Sequence, residues 1–99
     1  MRLVFTLLAE QDLEAIGDYI AADSPKRAVS FVRELRQQCQ RIAQNPLGYR
    51  LRSELAEGLR SCAYGHYVIF LKADSEEVGI IRILHGARDL PAVLSDDKR

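Results

Sequence analysis

The chain has 99 residues, 47% of them hydrophobic and 28% charged, and its formal net charge is zero. That length suits one domain and that apolar content can offset chain entropy, so neither a multidomain assembly nor a disordered binder is expected. No apolar run approaches the ~20 residues a membrane span requires, and two cysteines, Cys39 and Cys62, do not make a disulfide framework.

The chain opens with Met1-Arg2-Leu3-Val4-Phe5-Thr6-Leu7-Leu8. This stretch is apolar but short, and Glu10 and Asp12 follow at once. It reads as a first strand rather than a signal peptide, and the protein as cytoplasmic. Ala9, Leu13, Ile16 and Ile20 are spaced as one stripe of an amphipathic helix over about residues 8–22. Asp23-Ser24-Pro25 then starts a second helix, with Ser24 suited to the N-cap and Pro25 to the first helical position. Ala28, Phe31, Val32, Leu35, Cys39 and Ile42 share one face of it, with Lys26, Arg33 and Arg41 roughly opposite. Asn45-Pro46 closes the helix, and the short link between the helices makes them antiparallel. Cys39 and Cys62 sit among apolar neighbours and read as small buried hydrophobes.

Residues 46–58 read as a loop. Three strands follow, over residues 59–64, 67–71 and 78–85, joined by a Gly65-His66 turn and a polar Asp74-Ser75-Glu76-Glu77 turn. The expected fold class is α+β: an N-terminal strand, an antiparallel helical hairpin, then a three-stranded antiparallel β-meander. One domain covers residues 1–94, and residues 95–99 form a polar tail. With turns of two and four residues, Arg60 falls across from Leu71 and Arg82 across from Ile69. One sheet face then carries Arg60, Tyr64, Tyr67, Ile69, Leu71 and Arg82. The other carries Leu59, Ala63, Val68, Phe70, Ile81 and Ile83. The second set is the cleaner apolar surface, so the helices are expected there, while the mixed first face suits recognition. A slip of one residue would reverse this assignment.

Charge is uneven along the chain. Residues 24–64 hold eight basic and three acidic residues, a local excess of five positive charges, which reads either as a surface for an acidic partner or as a solvated helix face. There is no Gly-rich phosphate loop, nucleophile elbow or HExxH motif. His66 and His85 stand alone in sequence, without the spacing zinc needs. No metal, cofactor or small-molecule ligand is expected. One catalytic constellation remains: His85 as acid or base, with Arg60, Arg82 and Arg88 stabilising phosphate charge. The favoured alternative is a structural role, with His85 at a strand end and Arg88 paired to Asp89 or a carbonyl.

Several segments, in order, carry a family resemblance. Ala9-Glu10-Gln11-Asp12-Leu13-Glu14-Ala15-Ile16-Gly17-Asp18-Tyr19-Ile20 resembles the first helix of the ParE toxins, within the RelE/ParE superfamily. Asn45-Pro46 is similar to the end of that family's second helix. Gly58-Leu59-Arg60 leading to Gly65-His66-Tyr67-Val68-Ile69-Phe70 resembles its central hairpin, and residues 81–90 its closing strand. Two departures stand out: Tyr49 separates Gly48 from Arg50, and Gly17 replaces a residue that is often bulky.

The resemblance implies the toxin half of a bacterial toxin–antitoxin pair. ParE toxins stall DNA gyrase on DNA and are neutralised by a ParD-like antitoxin whose C-terminal segment wraps them. RelE relatives instead cut messenger RNA on the ribosome, using several basic residues with a Glu, His or Tyr. This chain matches that nuclease pattern only at Arg60, Arg82 and His85, so the resemblance implies a gyrase poison ahead of a ribonuclease. A non-toxic interaction module is the third reading. The partner-binding residues expected are Arg60, Tyr67, Arg82 and Arg88, with Arg82 placed outside the core by its alternation with Ile81 and Ile83.

Overall fold

The computed structural model describes residues 1–86. The expectations for Arg88, for the close of the domain at residue 94 and for the tail lie outside the described residues.

Local signals set both helices. Thr6 is extended and its hydroxyl accepts from the Ala9 N–H, which caps α1 (Leu7–Ala21). Ser24 does the same for the Arg27 N–H, and Pro25 opens α2 (Pro25–Gln44). Helix α1 buries Ala9, Leu13 and Ile16, while α2 buries Ala28, Phe31, Leu35, Cys39 and Ile42. Lys26, Arg33 and Arg41 stay exposed on the outer side of α2, as the helical spacing predicts. A single 3-10 turn, Pro46–Gly48, follows Asn45. Among the described residues, no helix is long and apolar enough to cross a membrane.

The sheet has five strands: β1 (Arg2–Phe5), β2 (Arg50–Leu51), β3 (Arg60–Tyr64), β4 (Tyr67–Ala73) and β5 (Glu77–His85). Their order is β1-β5-β4-β3-β2. Strands β3, β4 and β5 are the expected meander. Gly65 in the first turn has φ +58°, which glycine adopts without strain. In the second turn the Asp74 carboxylate accepts from the Glu76 and Glu77 N–H groups. Two pairings go beyond the expected order. Strand β1 runs parallel to β5, and the short β2, inside the stretch read as a loop, pairs antiparallel with β3.

The helices lie on the opposite sheet face from the one expected. They pack over Ile69, Leu71, Ile80 and Ile83, with Tyr64 and Tyr67 at the margin. The rear face holds Leu59, Phe70 and Leu84, with Val68 and Ile81 beside them, and Leu55 and Ala56 cover it. Two physical reasons explain the reversal. Strand β4 is apolar on both sides, so it does not discriminate between the faces. The pairing is also offset between Phe70 and Leu71: Leu71 stands opposite Ile80 but Phe70 opposite Arg82, which leaves Ile81 as an extra residue. Ile80 and Ile83 therefore both face the helices, and Arg82 stands opposite Phe70 rather than Ile69. Strict alternation had placed Arg60 and Arg82 on one face, and the bulge takes them out of step.

The rear face is a second core. Phe70 and Leu59 are as deeply buried as Leu35 and Ile42 on the helical side. Phe70→Ala is therefore expected to cost about 3–5 kcal/mol, in the same range as the roughly 2–5 kcal/mol expected of Leu35→Ala. Urea unfolding of both variants checks this. Near wild-type stability of Phe70→Ala would show that the rear face contributes little.

Candidate functional site

Strand β5 outlasts its neighbour. Strand β1 pairs with it only as far as Ile80, so the following backbone groups on that edge need other partners. The start of α1 supplies them. The Thr6 N–H donates to the Ile80 carbonyl at 3.1 Å, and the Thr6 hydroxyl donates to the Ile81 carbonyl at 2.8 Å. Six residues on, Asp12 accepts the Ile83 N–H at 2.9 Å.

Asp12 also receives Arg82. The guanidinium donates through Nε at 2.8 Å and through Nη2 at 2.9 Å, a bidentate pair. Both side chains are nearly buried, at 12% and 11% exposure. The arginine expected to lead the partner-binding set thus holds α1 to the edge of β5. Arg60 is similarly engaged. Its Nη1 donates to the Tyr49 carbonyl at 2.9 Å and to the Leu47 carbonyl at 3.4 Å, which ties the 3-10 turn to β3.

Tyr67 and His85 come together at the far end of the sheet, as cross-strand partners. The Tyr67 ring meets His85 edge-on, at 5.4 Å between centroids and 82° between planes. His66, in the β3–β4 turn, stacks on His85 at 6.1 Å and 21°. The two histidines that stand alone in sequence are therefore neighbours in the fold. Behind them, Phe31 of α2 packs against Tyr67 at 5.7 Å and Tyr64 at 5.9 Å. The Arg27 guanidinium lies 5.1 Å over the Phe31 ring. Tyr19, in the last turns of α1, is 78% exposed beside this group.

Electrostatics follow from these contacts. Arg27 donates to Glu34 at 2.7 Å and the Tyr64 hydroxyl donates to the same carboxylate at 2.9 Å. The Arg27 bond, then the Tyr64 bond, hold Glu34 below the usual carboxylate range. The bond to Glu34, more than burial, pushes Tyr64 up. Tyr67 is also pushed up, chiefly by burial and secondarily by Tyr19. Burial pushes the Cys39 thiol up to about 12, so it behaves as a small hydrophobe with no thiolate at neutral pH.

Of the expected site residues, Tyr67 and His85 meet at this end of the sheet. Arg82 sits at the α1 seam, Arg60 lies by the 3-10 turn, and Arg88 is outside the described residues. Asp12, Tyr19, Arg27, Phe31 and His66 were not anticipated. One signal was available for Tyr19, an aromatic residue off the apolar stripe of α1.

Comparison with known proteins bears directly on this arrangement. The family model for the ParE toxin of the type II toxin–antitoxin system parDE matches residues 3–90. The chain belongs to the ParE toxin family. Among solved structures it is similar to a chain of the chromosomal ParDE toxin–antitoxin system from P. aeruginosa. That match has 25% identity and a TM-score of 0.74, and covers 86% of this chain and 95% of that one. It is also similar to a chain of the RelBE2 toxin–antitoxin complex from Mycobacterium tuberculosis, at 30% identity and a TM-score of 0.50, over 85% of this chain and 95% of that one. No curated protein matches significantly. In this ParE-family chain, the Asp12–Arg82 pair joins α1 to β5.

Removing one member of a nearly buried ion pair strands the other, so Asp12→Ala and Arg82→Ala are each expected to cost about 3–5 kcal/mol. Arg60→Ala, which loses hydrogen bonds to two carbonyls, should cost about 1–3 kcal/mol. Urea unfolding of the three variants measures this order. Equal and small losses in all three would remove the seam as a stabilising feature.

Proposed function

We propose that this ParE-family toxin acts by binding and poisoning DNA gyrase in the cytoplasm, and that a ParD-like antitoxin neutralises it. The observation that carries the choice of target is the engagement of the two matching arginines. A ribonuclease of the RelE kind needs cations converging on a scissile phosphate. Here Arg82 is bound bidentately by Asp12, and Arg60 spans to the carbonyls of Leu47 and Tyr49. Binding a protein target requires a shaped surface rather than a convergent catalytic set. Arg60 and Arg82 would then act by fixing that surface, and Tyr67 would present part of it. Arg88, three residues past the end of β5 in the sequence, stays in the proposed partner-binding set.

Exposed apolar groups mark where the antitoxin would sit. Strand β1 lies at the sheet edge. Met1, Val4, Leu7 and Leu8 are exposed along it and on the first turn of α1. An edge strand flanked by such residues can accept an extended segment of another chain.

Two assays test this reading. In a supercoiling assay the purified toxin should inhibit gyrase, and antitoxin should restore activity. In a ribosome-programmed assay it should leave messenger RNA intact. RNA cleavage with untouched supercoiling would transfer the function to the RelE type. For the antitoxin site, Leu7→Glu should leave the melting temperature unchanged, because Leu7 is 74% exposed. It should weaken antitoxin binding by roughly tenfold or more, as loss of an interface anchor does. Unchanged affinity would move the interface elsewhere.

A further inference from the structure

Beyond the β3–β4 turn lies a cleft of about 460 Å³ that neither the seam nor the antitoxin edge uses. Its walls come from three parts of the fold. Tyr19 stands on the end of α1, Arg27 and Phe31 on the start of α2, and His66, Tyr67 and His85 at the strand ends. Five of these six side chains are rings. Tyr67 is the half-buried floor, and the stacked His66–His85 pair forms one side. Tyr19 stands almost fully in solvent, with its flat face unclaimed by the core.

The charge of the lining is one-sided. Among the described residues the Arg27 guanidinium supplies it, and no carboxylate lines the cleft, the Glu34 that pairs with Arg27 lying outside the lining. Both bonds that the Arg27 guanidinium makes among the described residues, to Ser30 and to Glu34, run through Nη1. Its remaining N–H groups carry no hydrogen bond among the described residues, and the side chain lines the cleft over the Phe31 ring. Planar rings with a cation beside them suit a ligand that is planar and aromatic at one end and anionic at the other. The volume falls in the range of small-ligand sites, too small for a folded partner.

We infer that this cleft is a binding site for a purine mononucleotide, a ligand class that sequence alone did not suggest. The base stacks against Tyr19 and the His66–His85 pair, and the phosphate lies on Arg27. An amphipathic peptide is a poorer fit, because Ile20 is the one aliphatic side chain in the lining. This inference does not depend on the choice of gyrase as target or on the antitoxin edge, although Tyr67 belongs both to the cleft and to the proposed gyrase-facing surface.

The test uses the full chain with adenosine monophosphate as probe. Calorimetry measures affinity, and nitrogen–proton NMR locates the shifts. Saturable binding is expected, with shifts at Tyr19, His66 and His85. Tyr19→Ala and His66→Ala should each weaken it about tenfold, the usual loss when a base loses one stacking partner. Both residues are exposed, so both variants should fold. Arg27→Gln should weaken the nucleotide but leave adenosine, which lacks the phosphate, unaffected. Leu47→Ala, in the 3-10 turn beyond the opposite end of α2, should change nothing. Absence of saturable binding at millimolar concentration would overturn the inference. So would binding that persists unchanged in the Tyr19 and His66 variants, which would place the nucleotide elsewhere. An adenine oligonucleotide that binds and is not displaced by the mononucleotide would overturn it too, assigning the cleft to a strand.

Discussion

The far half of β5 has lost its parallel neighbour, and its backbone would face solvent on that edge if α1 did not cross there. Thr6 and Asp12, six residues apart, take over the pairing that β1 leaves off at Ile80. Thr6 serves two ends at once, since the hydroxyl that accepts from the Ala9 N–H also donates to the Ile81 carbonyl. Asp12 accepts from both Arg82 and the Ile83 N–H, so one carboxylate fixes a helix, a strand edge and a cation. With α1 held there, Leu13 and Ile16 are directed into the helix-side core and Tyr19 is left facing out. Tyr19, on the same helix, lines the aromatic cleft.

The same seam bears on how relatives of one fold can differ in action. In a nuclease, an arginine on the closing strand is useful only if it reaches substrate. Here its Nε and Nη2 are held by the Asp12 carboxylate of α1. Several cations of the middle segment are likewise paired within the molecule, one of them with an acid outside that segment, Glu10. Arg27 pairs with Glu34, Arg36 with Glu10 and Arg52 with Glu54. Exposed pairs of this kind contribute about 0–1 kcal/mol each. Their larger effect is to leave fewer cations, such as Lys26 and Arg33, for a partner.

What could be read from the sequence was what is local. The helix stripes, the Ser24-Pro25 start and the Gly65-His66 turn depend on residues within a few positions of one another, and each is found where expected. The sheet faces were misassigned because period-two alternation assumes no bulge, and the offset at Phe70/Leu71 breaks it. Strand β2 is too short to show a pattern, and the parallel β1–β5 pairing links the two ends of the fold. Asp12 and Arg82 lie seventy positions apart, so no spacing rule connects them. The aromatic cleft draws on both helices, the β3–β4 turn and two strand ends, which only the tertiary fold brings together.

Amide hydrogen exchange at Ile83 tests the central role of Asp12 most directly. In the wild-type protein the Ile83 amide should be protected nearly as strongly as the core amides of Ile69 and Leu71. In Asp12→Ala it should exchange roughly 10–100-fold faster relative to those two, the range expected when a hydrogen bond to a charged acceptor is lost. If Ile83 keeps step with Ile69 and Leu71 in that variant, the edge of β5 is held by something other than Asp12, and the account of the seam is wrong.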